Sequence, residues 1–305
     1  MDKATIQRHL GPAVQPDYPL APLTSLKVGG PADFFATART EPELRELVSR
    51  AWEIDLPLLI LGNGSNVLLA DRGFRGLVIH NRCGAMSSQL APAPAAGCES
   101  TDQELCVLAQ AGAMLPRVAH EAIKQGFHDL VYATGIPGSV GGAVFSNAGA
   151  YGWCLADNLS AVRYLARDGQ IRTAPAGELE LRYRYSRFRE TGEVVLGVTL
   201  RLHQREAAAQ SAELNRQRRQ SQPLQLPNAG SMFKNPAGAS AGWLIEQAGL
   251  KGRRSGQAQI SERHANFIVN LGGATAAEVL SLIRTAQAAV SEPLELEVQL
   301  LGEWE

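Results

Sequence analysis

The chain has 305 residues, of which 45% are hydrophobic and 19% charged, with acids and bases balancing to a formal net charge of −1. That length holds two domains or three small ones with room for a large core, and the composition is that of a soluble globular protein, not a disordered or fibrous one. A chain so near neutrality has no global field to draw in nucleic acid or an anionic membrane, so neither is an expected partner.

The N-terminal MDKATIQRHLGPAVQPDYPL lacks the apolar stretch of a secretory signal, and no run approaches a membrane span. Four cysteines, Cys83, Cys98, Cys106 and Cys154, form no CxxC pair, and the six histidines fall in no HExxH-like group. The expectation is a reduced, cytoplasmic protein without a metal site or membrane insertion.

In chain order, TEPELRELVSRAW opens with Thr40 three residues before Glu43, a capping-box pattern, and Leu44, Leu47, Val48 and Ala51 follow at helical spacing. LPLLILGNGSNVLLADRGFRGLVIH reads as strand, loop, strand, turn and strand. Residues 86–102, rich in Ala, Pro and Ser, read as an exposed loop. LCVLAQAGAML reads as a strand and turn, and PRVAHEAIKQG as a helix with Pro116 in its first turn and Gly126 at its end.

After the glycine-dense stretch 135–152 come LSAVRYLARDGQIRT, a hairpin turning at DG, and the strand GEVVLGVTLRL. The charged helical segment QREAAAQSAELNRQRRQSQP closes this part before Pro223. Beyond it AGWLIEQAGLKG reads as a short helix and ANFIVNLGG as a strand. A second capping box, Thr275 and Glu278, precedes VLSLIRTAQAAV, and LELEVQLLG alternates as a last strand. The class is α+β or mixed α/β.

Two glycine loops carry the functional signal. LGNGSN (61–66) follows an apolar strand and supplies bare backbone N–H groups that can converge on an anion, but it matches neither GxGxxG nor the Walker A pattern. Taken alone, it is as well explained by a tight turn. GIPGSVGGAVFSNAGAYG has more glycine than a connection of that length needs, which points to close approach of a ligand. Together the loops suggest a cofactor with an extended pyrophosphate on a fold other than the Rossmann one.

Seven segments in order give the chain a specific resemblance: TSLKVGGPADFF, LGNGSNVLLADRGFRGLVI, GIPGSVGGAVFSNAGAYG, YRYS, AGSMFKNP, GLKG…AQISERHANFIVN and LELEVQLLG. The chain resembles the UDP-N-acetylenolpyruvoylglucosamine reductase (MurB) family, and more closely its shorter, type II form, because little separates YRYSRF from GEVVLGV. The resemblance implies an α+β protein. It would comprise a two-subdomain FAD-binding fold of the vanillyl-alcohol-oxidase/PCMH type, over 1–84 and 85–208, and a C-terminal α+β substrate domain over 209–305. Departures occur at HDLVYATGIPG and at Gln257, and they bear on local flavin contacts more than on the chemistry.

The implied reaction is the NADPH-dependent, FAD-mediated reduction of UDP-N-acetylglucosamine enolpyruvate in peptidoglycan precursor synthesis. By the resemblance, Ser231 is the proton donor to carbon, and Arg184 and Glu297 are its catalytic partners. The flavin is implied to lie against Gly62, Asn63, Gly64, Ser65, Asn66, Gly135, Ile136, Pro137, Gly138, Ser139, Gly141, Gly142, Asn147 and Ala148, with Lys234 and Asn235 near the substrate. The glycine loops contain no histidine, so FAD is expected to be non-covalent. A monomer binding a UDP-sugar and NADPH is expected, with Lys251, Arg253 and Arg263 as candidates for the pyrophosphate.

These residue types suit that chemistry. A guanidinium is always protonated and matches a carboxylate. A glutamate of raised pKa can donate to one. A serine can protonate a carbanion or enolate without a histidine, because its partner is so basic. Each has an ordinary reading too: Ser231 as a turn residue, Arg184 as a solvated strand residue, and Glu297 as the exposed face of a strand. The same flavin fold in an alcohol or hydroxy-acid oxidase, and a non-catalytic nucleotide-binding module, are the other functions the glycine loops allow.

Overall fold

The computed structural model describes residues 1–91, 103–204 and 208–304. The first elements are α1 (Lys3–Leu10), β1 (Gln15–Pro19), β2 (Pro31–Ala38), α2 (Glu41–Glu53), β3 (Leu58–Leu61), β4 (Val67–Leu69), β5 (Phe74–Asn81), β6 (Met86–Leu90) and β7 (Glu104–Gln110). There follow α3 (Leu115–Lys124), α4 (Val140–Ser146), β8 (Gly149–Ala150), β9 (Trp153–Cys154), β10 (Leu159–Leu165), β11 (Ile171–Pro175), α5 (Phe188–Thr191) and β12 (Val194–His203). The last are α6 (Ala208–Ser221), β13 (Asn228–Ser231), α7 (Ala241–Gln247), β14 (Arg254–Ser255), β15 (Ala258–Ile260), β16 (Phe267–Asn270), α8 (Ala276–Ala289) and β17 (Gln299–Leu301).

The chain divides into two compact units. The first takes Met1–Ala36, Glu53–Ile79 and Arg218–Glu305, and the second Thr37–Trp52 and His80–Gln217. In the first unit a sheet ordered β1-β2-β5-β3 accompanies a second ordered β13-β16-β15-β14, and β17 runs parallel to β4. Helix α8 packs on β14 and β15. Its capping box forms as read, with Thr275 Oγ1 accepting from Glu278 N and the Glu278 carboxylate accepting from Thr275 N. Asp71 reinforces that start, its carboxylate accepting from Ala276 N at 2.7 Å and Ala277 N at 2.9 Å, where the helix dipole favours negative charge. Val279, Leu282, Ile283 and Ala286 then join Met232, Phe233, Ile260, Ile268 and Val298 in one apolar core.

In the second unit an antiparallel sheet ordered β11-β10-β12-β7-β6 buries one face. The alternation in β7 puts Leu105, Val107 and Ala109 inward against the apolar stripe of α3 (Val118, Ala119, Ala122) and against Val140 and Val144 of α4.

Three sequence expectations change. Residues Met86–Leu90 are a strand, not loop: β6 pairs antiparallel with β7 although its middle residues Ser87, Ser88 and Gln89 are polar and exposed and only Met86 packs on the core, because an edge strand is held chiefly by backbone bonds. The remainder of that expected loop, 92–102, lies outside the described residues, as does Cys98. The second glycine loop contains the helix α4, N-capped by Ser139, whose Oγ accepts from Gly142 N at 3.3 Å; burial of Val140, Ala143 and Val144 outweighs the low helix propensity of its glycines. The last strand is confined to Gln299–Leu301, and Leu296 instead forms an isolated bridge with Phe233.

Candidate active site

In the first unit the chain brings Ser231, Glu297 and the first glycine loop together. Ser231 ends β13 opposite Phe267 of β16. The next residue, Met232, donates from its N to Asn266 O at 2.8 Å and accepts at its O from Glu297 N at 2.9 Å. Glu297, half-buried like Ser231, is therefore bonded through its backbone to the residue that follows the serine. Asn66 completes the frame: its Nδ2 donates to Glu297 O at 3.1 Å, and its own O accepts from Gln299 N at 3.1 Å.

Asn266, 3% exposed, clamps the residue after Met232: its Oδ1 accepts from Phe233 N at 2.9 Å and its Nδ2 donates to Phe233 O at 2.8 Å. Ser25 ties the first loop to β13, its Oγ bonding Asn228 O at 2.6 Å and Gly64 O at 3.2 Å. Gly64 is required by the chain itself, since its φ is +59° and a Cβ there would stand 2.3 Å from Leu23 O. Gly62, Asn63 and Ser65 are half-buried around it.

Lys234 and Asn235 follow the serine strand and are engaged within the chain. Lys234 Nζ donates to the exposed Glu295 carboxylate at 3.1 Å, and Asn235 Oδ1 accepts from Ala241 N at 3.0 Å at the start of α7. Two candidates for the pyrophosphate are engaged likewise: Lys251 pairs with Glu246 at 2.7 Å, and Arg263 Nη1 donates to Arg219 O and Gln222 O near the end of α6.

In the second unit the other glycine segment is pinned by its own backbone. Leu115 N donates to Gly138 O, Gly138 N to Ile136 O, and Gly141 N to Ala111 O. A Cβ on Gly141 would come within 3.0 Å of Ala111 Cβ, so that glycine also serves chain packing. Gly142 is different. It is exposed, its nearest neighbour to a Cβ would be Ser139 Oγ at 3.5 Å, and nothing in the chain's own packing requires a glycine there. Gly135, Ile136 and Pro137 lie on the turn before it, Pro137 exposed, and Ala148 follows α4, bonded to Ala143 O and Leu155 N.

Arg184 does not lie on a strand. It sits in a tight turn closed by reciprocal N–H···O bonds of 3.1 Å between Arg182 and Tyr185, with a φ of 56°, a region that non-glycine residues enter at a cost. Its guanidinium carbon stands 5.3 Å from the exposed Tyr183 ring, and its O accepts from Arg189 Nη1. Tyr185 donates its hydroxyl to Glu190 at 2.8 Å, a bond that raises the phenol pKa.

The residues missed from sequence are Ser25, Asn266 and Ser186. Ser25 and Asn266 lie in quoted motifs, TSLKVGG and ERHANF, where nothing local marks them, because their partners are distant in the chain.

Residues 32–174 match the family described as FAD binding domain. With the bare, exposed backbone at Gly142, this defines an FAD-binding protein of α+β fold. Residues 222–301 match the UDP-N-acetylenolpyruvoylglucosamine reductase C-terminal domain. The chain is 42% identical over 298 residues to the UDP-N-acetylenolpyruvoylglucosamine reductase of Agathobacter rectalis, covering 94% of each, and 41% identical over 294 residues to that of Levilactobacillus brevis, covering 94% of this chain and 92% of that one. The crystal structure of MurB from Thermus caldophilus is similar with a TM-score of 0.76 at 38% identity, covering 94% of this chain and 98% of that chain. The chain belongs to the UDP-N-acetylenolpyruvoylglucosamine reductase family and is an FAD-dependent oxidoreductase of the MurB type.

Among the described residues no helix is long and apolar enough to cross a membrane, and no group of three or more His, Cys, Asp or Glu is placed to hold a metal ion.

Proposed function

We propose that this protein reduces UDP-N-acetylglucosamine enolpyruvate to UDP-N-acetylmuramate with NADPH as reductant and non-covalent FAD as mediator, as a cytoplasmic monomer in peptidoglycan precursor synthesis. The observation that carries the reading is the bond from Glu297 N to Met232 O at 2.9 Å, which sets the glutamate segment beside the serine strand in a chain whose relatives bear that reductase's name.

The backbone of the glycine segments around Gly62–Asn66 and Gly135–Ala148 would hold the flavin, and the fit rests on Gly142, where the backbone is exposed and bare without need from its own neighbours. The division into flavin subdomains over 1–84 and 85–208 and a substrate domain over 209–305 belongs to the same proposal. Bound FAD, once reduced by hydride from NADPH, would supply hydride from N5 to C3 of the enolpyruvyl double bond.

The chain's own groups handle the charge and the proton. Hydride addition leaves negative charge at C2 that spreads into the substrate carboxylate. Arg184, permanently cationic, holds that carboxylate and takes up the developing charge. Glu297, carrying its proton, donates a hydrogen bond to the same group. Ser231 gives its hydroxyl proton to C2, and the alkoxide left behind is stabilised and reprotonated from Lys234 or water. Lys234→Met with an unchanged rate of substrate reduction would remove Lys234 from that relay.

The test is product analysis. Purified protein incubated with NADPH and the enolpyruvyl nucleotide should oxidise NADPH only when both are present and release a nucleotide heavier by two hydrogens. NADPH oxidation that depends on oxygen and ignores the nucleotide would hand the function to an oxidase.

A further inference from the structure

Asn66 closes the first glycine segment and Asn147 lies within the second, and both spend side-chain hydrogen bonds on the chain. Asn147 follows α4 in the left-handed region, φ 41°, and is 4% exposed. Its Oδ1 accepts from Ala156 N at 3.0 Å and its Nδ2 donates to Arg182 O at 3.1 Å. Arg182 is the residue whose N–H and C=O close the turn over Arg184. The same end of α4 grips the other flank of that turn, because the fully buried Ser186 donates its hydroxyl to Phe145 O at 2.9 Å. A backbone φ of 56° at Arg184 persists only where the surroundings over-determine it, and these two bonds bracket it.

The first unit repeats the device with different elements. Asn66 closes the LGNGSN loop, and its Nδ2 donates to Glu297 O at 3.1 Å while Glu297 N is held by Met232 O. Both backbone polar groups of Glu297 are thereby fixed. Asn147 uses both the donor and the acceptor of its carboxamide and Asn66 uses the donor; an aspartate lacks that donor and a serine the length.

We propose that Asn66 and Asn147 are positioning residues that act through Glu297 and Arg184, and are not flavin ligands. The inference rests on the catalytic roles proposed above for those two residues. It makes each cofactor segment and its reacting side chain one mechanical piece within its own unit.

The test uses the flavin-loaded enzyme and the substitutions Asn147→Asp and Asn66→Asp, which keep size and acceptor, remove the donor and add a carboxylate charge, with Ser186→Ala as the uncharged control on the Arg184 turn; aspartate also tolerates the left-handed backbone of residue 147. Amide exchange is the first readout. Loss of one such bond should speed exchange at Tyr185 in Asn147→Asp, and at Glu297 in Asn66→Asp, by about tenfold, with the β12 amides of Val198 and Leu200 unchanged. If Asn147→Asp does not fold, Ser186→Ala removes the other clip and carries the same expectation at Tyr185.

The second readout separates half-reactions. FAD affinity and flavin reduction by NADPH should hold, while reoxidation by the enolpyruvyl nucleotide slows by about tenfold or more. In an Arg184→Ala background, Asn147→Asp should add no further loss. Unchanged exchange at Tyr185 and Glu297, a fall in FAD affinity matching the loss of rate, or additive losses in the double variant would each overturn the proposal. A wild-type enzyme that ignores the nucleotide would refute the proposed function instead, and the exchange measurement would still decide whether the asparagines hold these turns.

Discussion

Asn266→Ala is the perturbation whose cost the structure allows to be worked out. The side chain is 3% exposed and satisfies both backbone groups of Phe233, at 2.9 and 2.8 Å. Truncation deletes two hydrogen bonds and leaves a buried N–H and a buried C=O without partners, each costing about 1–3 kcal/mol. The bond from Met232 N to Asn266 O is a backbone bond and survives the substitution, so the pairing of β13 with β16 persists and the loss is local. The expected destabilisation is about 2–5 kcal/mol, at the high end for a single substitution. Urea titration of the flavin-free protein by circular dichroism should show the midpoint falling with an unchanged slope. Asn266→Asp keeps the acceptor for Phe233 N, loses the donor and buries a charge, so it should not restore stability. A loss under about 1 kcal/mol for Asn266→Ala would refute the reasoning, because it would mean that water reaches the Phe233 backbone and the clamp contributes nothing net.

Further outcomes follow from the same framework. Ser231→Ala should let NADPH bleach the flavin at the normal rate while reoxidation by the nucleotide slows by several orders of magnitude; equal loss of both steps would make Ser231 structural. Gly64→Ala forces a positive φ and a contact of 2.3 Å on Leu23 O, so it should destabilise by at least about 2 kcal/mol. Gly142→Ala should leave stability equal or raise it by up to ~1 kcal/mol, yet weaken FAD binding, and thermal melts with flavin titration would expose the opposite pattern. Burial, with the Glu43 and Glu41 charges second, pushes the Cys83 thiol up from 9.0 to about 11. Its thiolate fraction near pH 8 is then about 100-fold below that of an ordinary thiol, so iodoacetamide should label half-buried Cys106 and Cys154 well before it. A thiol pKa raised by folding contributes stability that is complete below pH 9.0 and is lost as pH rises through about 11. Equal labelling rates at the three sites would discard that account.

What the sequence discloses is what is decided locally. The capping box of α8, the amphipathic stripe of α3 and the hairpin turning at Gly169, φ +81°, each rest on residues a few positions apart. The strand β6 and the helix α4 were hidden because backbone pairing and tertiary burial overrode polar and glycine-rich compositions. The order of the motifs named the segments that carry Ser231, Arg184 and Glu297, but not the geometry that holds them. Asn66 reaches Glu297 across 231 positions and Ser25 reaches Asn228 across 203, distances at which no periodicity or spacing carries a signal. Glycine density was a partial guide. It pointed to ligand approach in the second segment and left a tight turn equally open in the first; Gly64 and Gly141 are small because the chain packs on itself there, whereas Gly142 has room for a side chain.

The central claim is tested most directly by the visible absorption spectrum of the purified protein, taken without oxygen before NADPH, after it, and again after the enolpyruvyl nucleotide. Flavin bands should bleach with NADPH and return when the nucleotide is added. A colourless protein that gains no bands with added FAD would contradict the flavin assignment, and bands that bleach and do not return would contradict the proposed reduction.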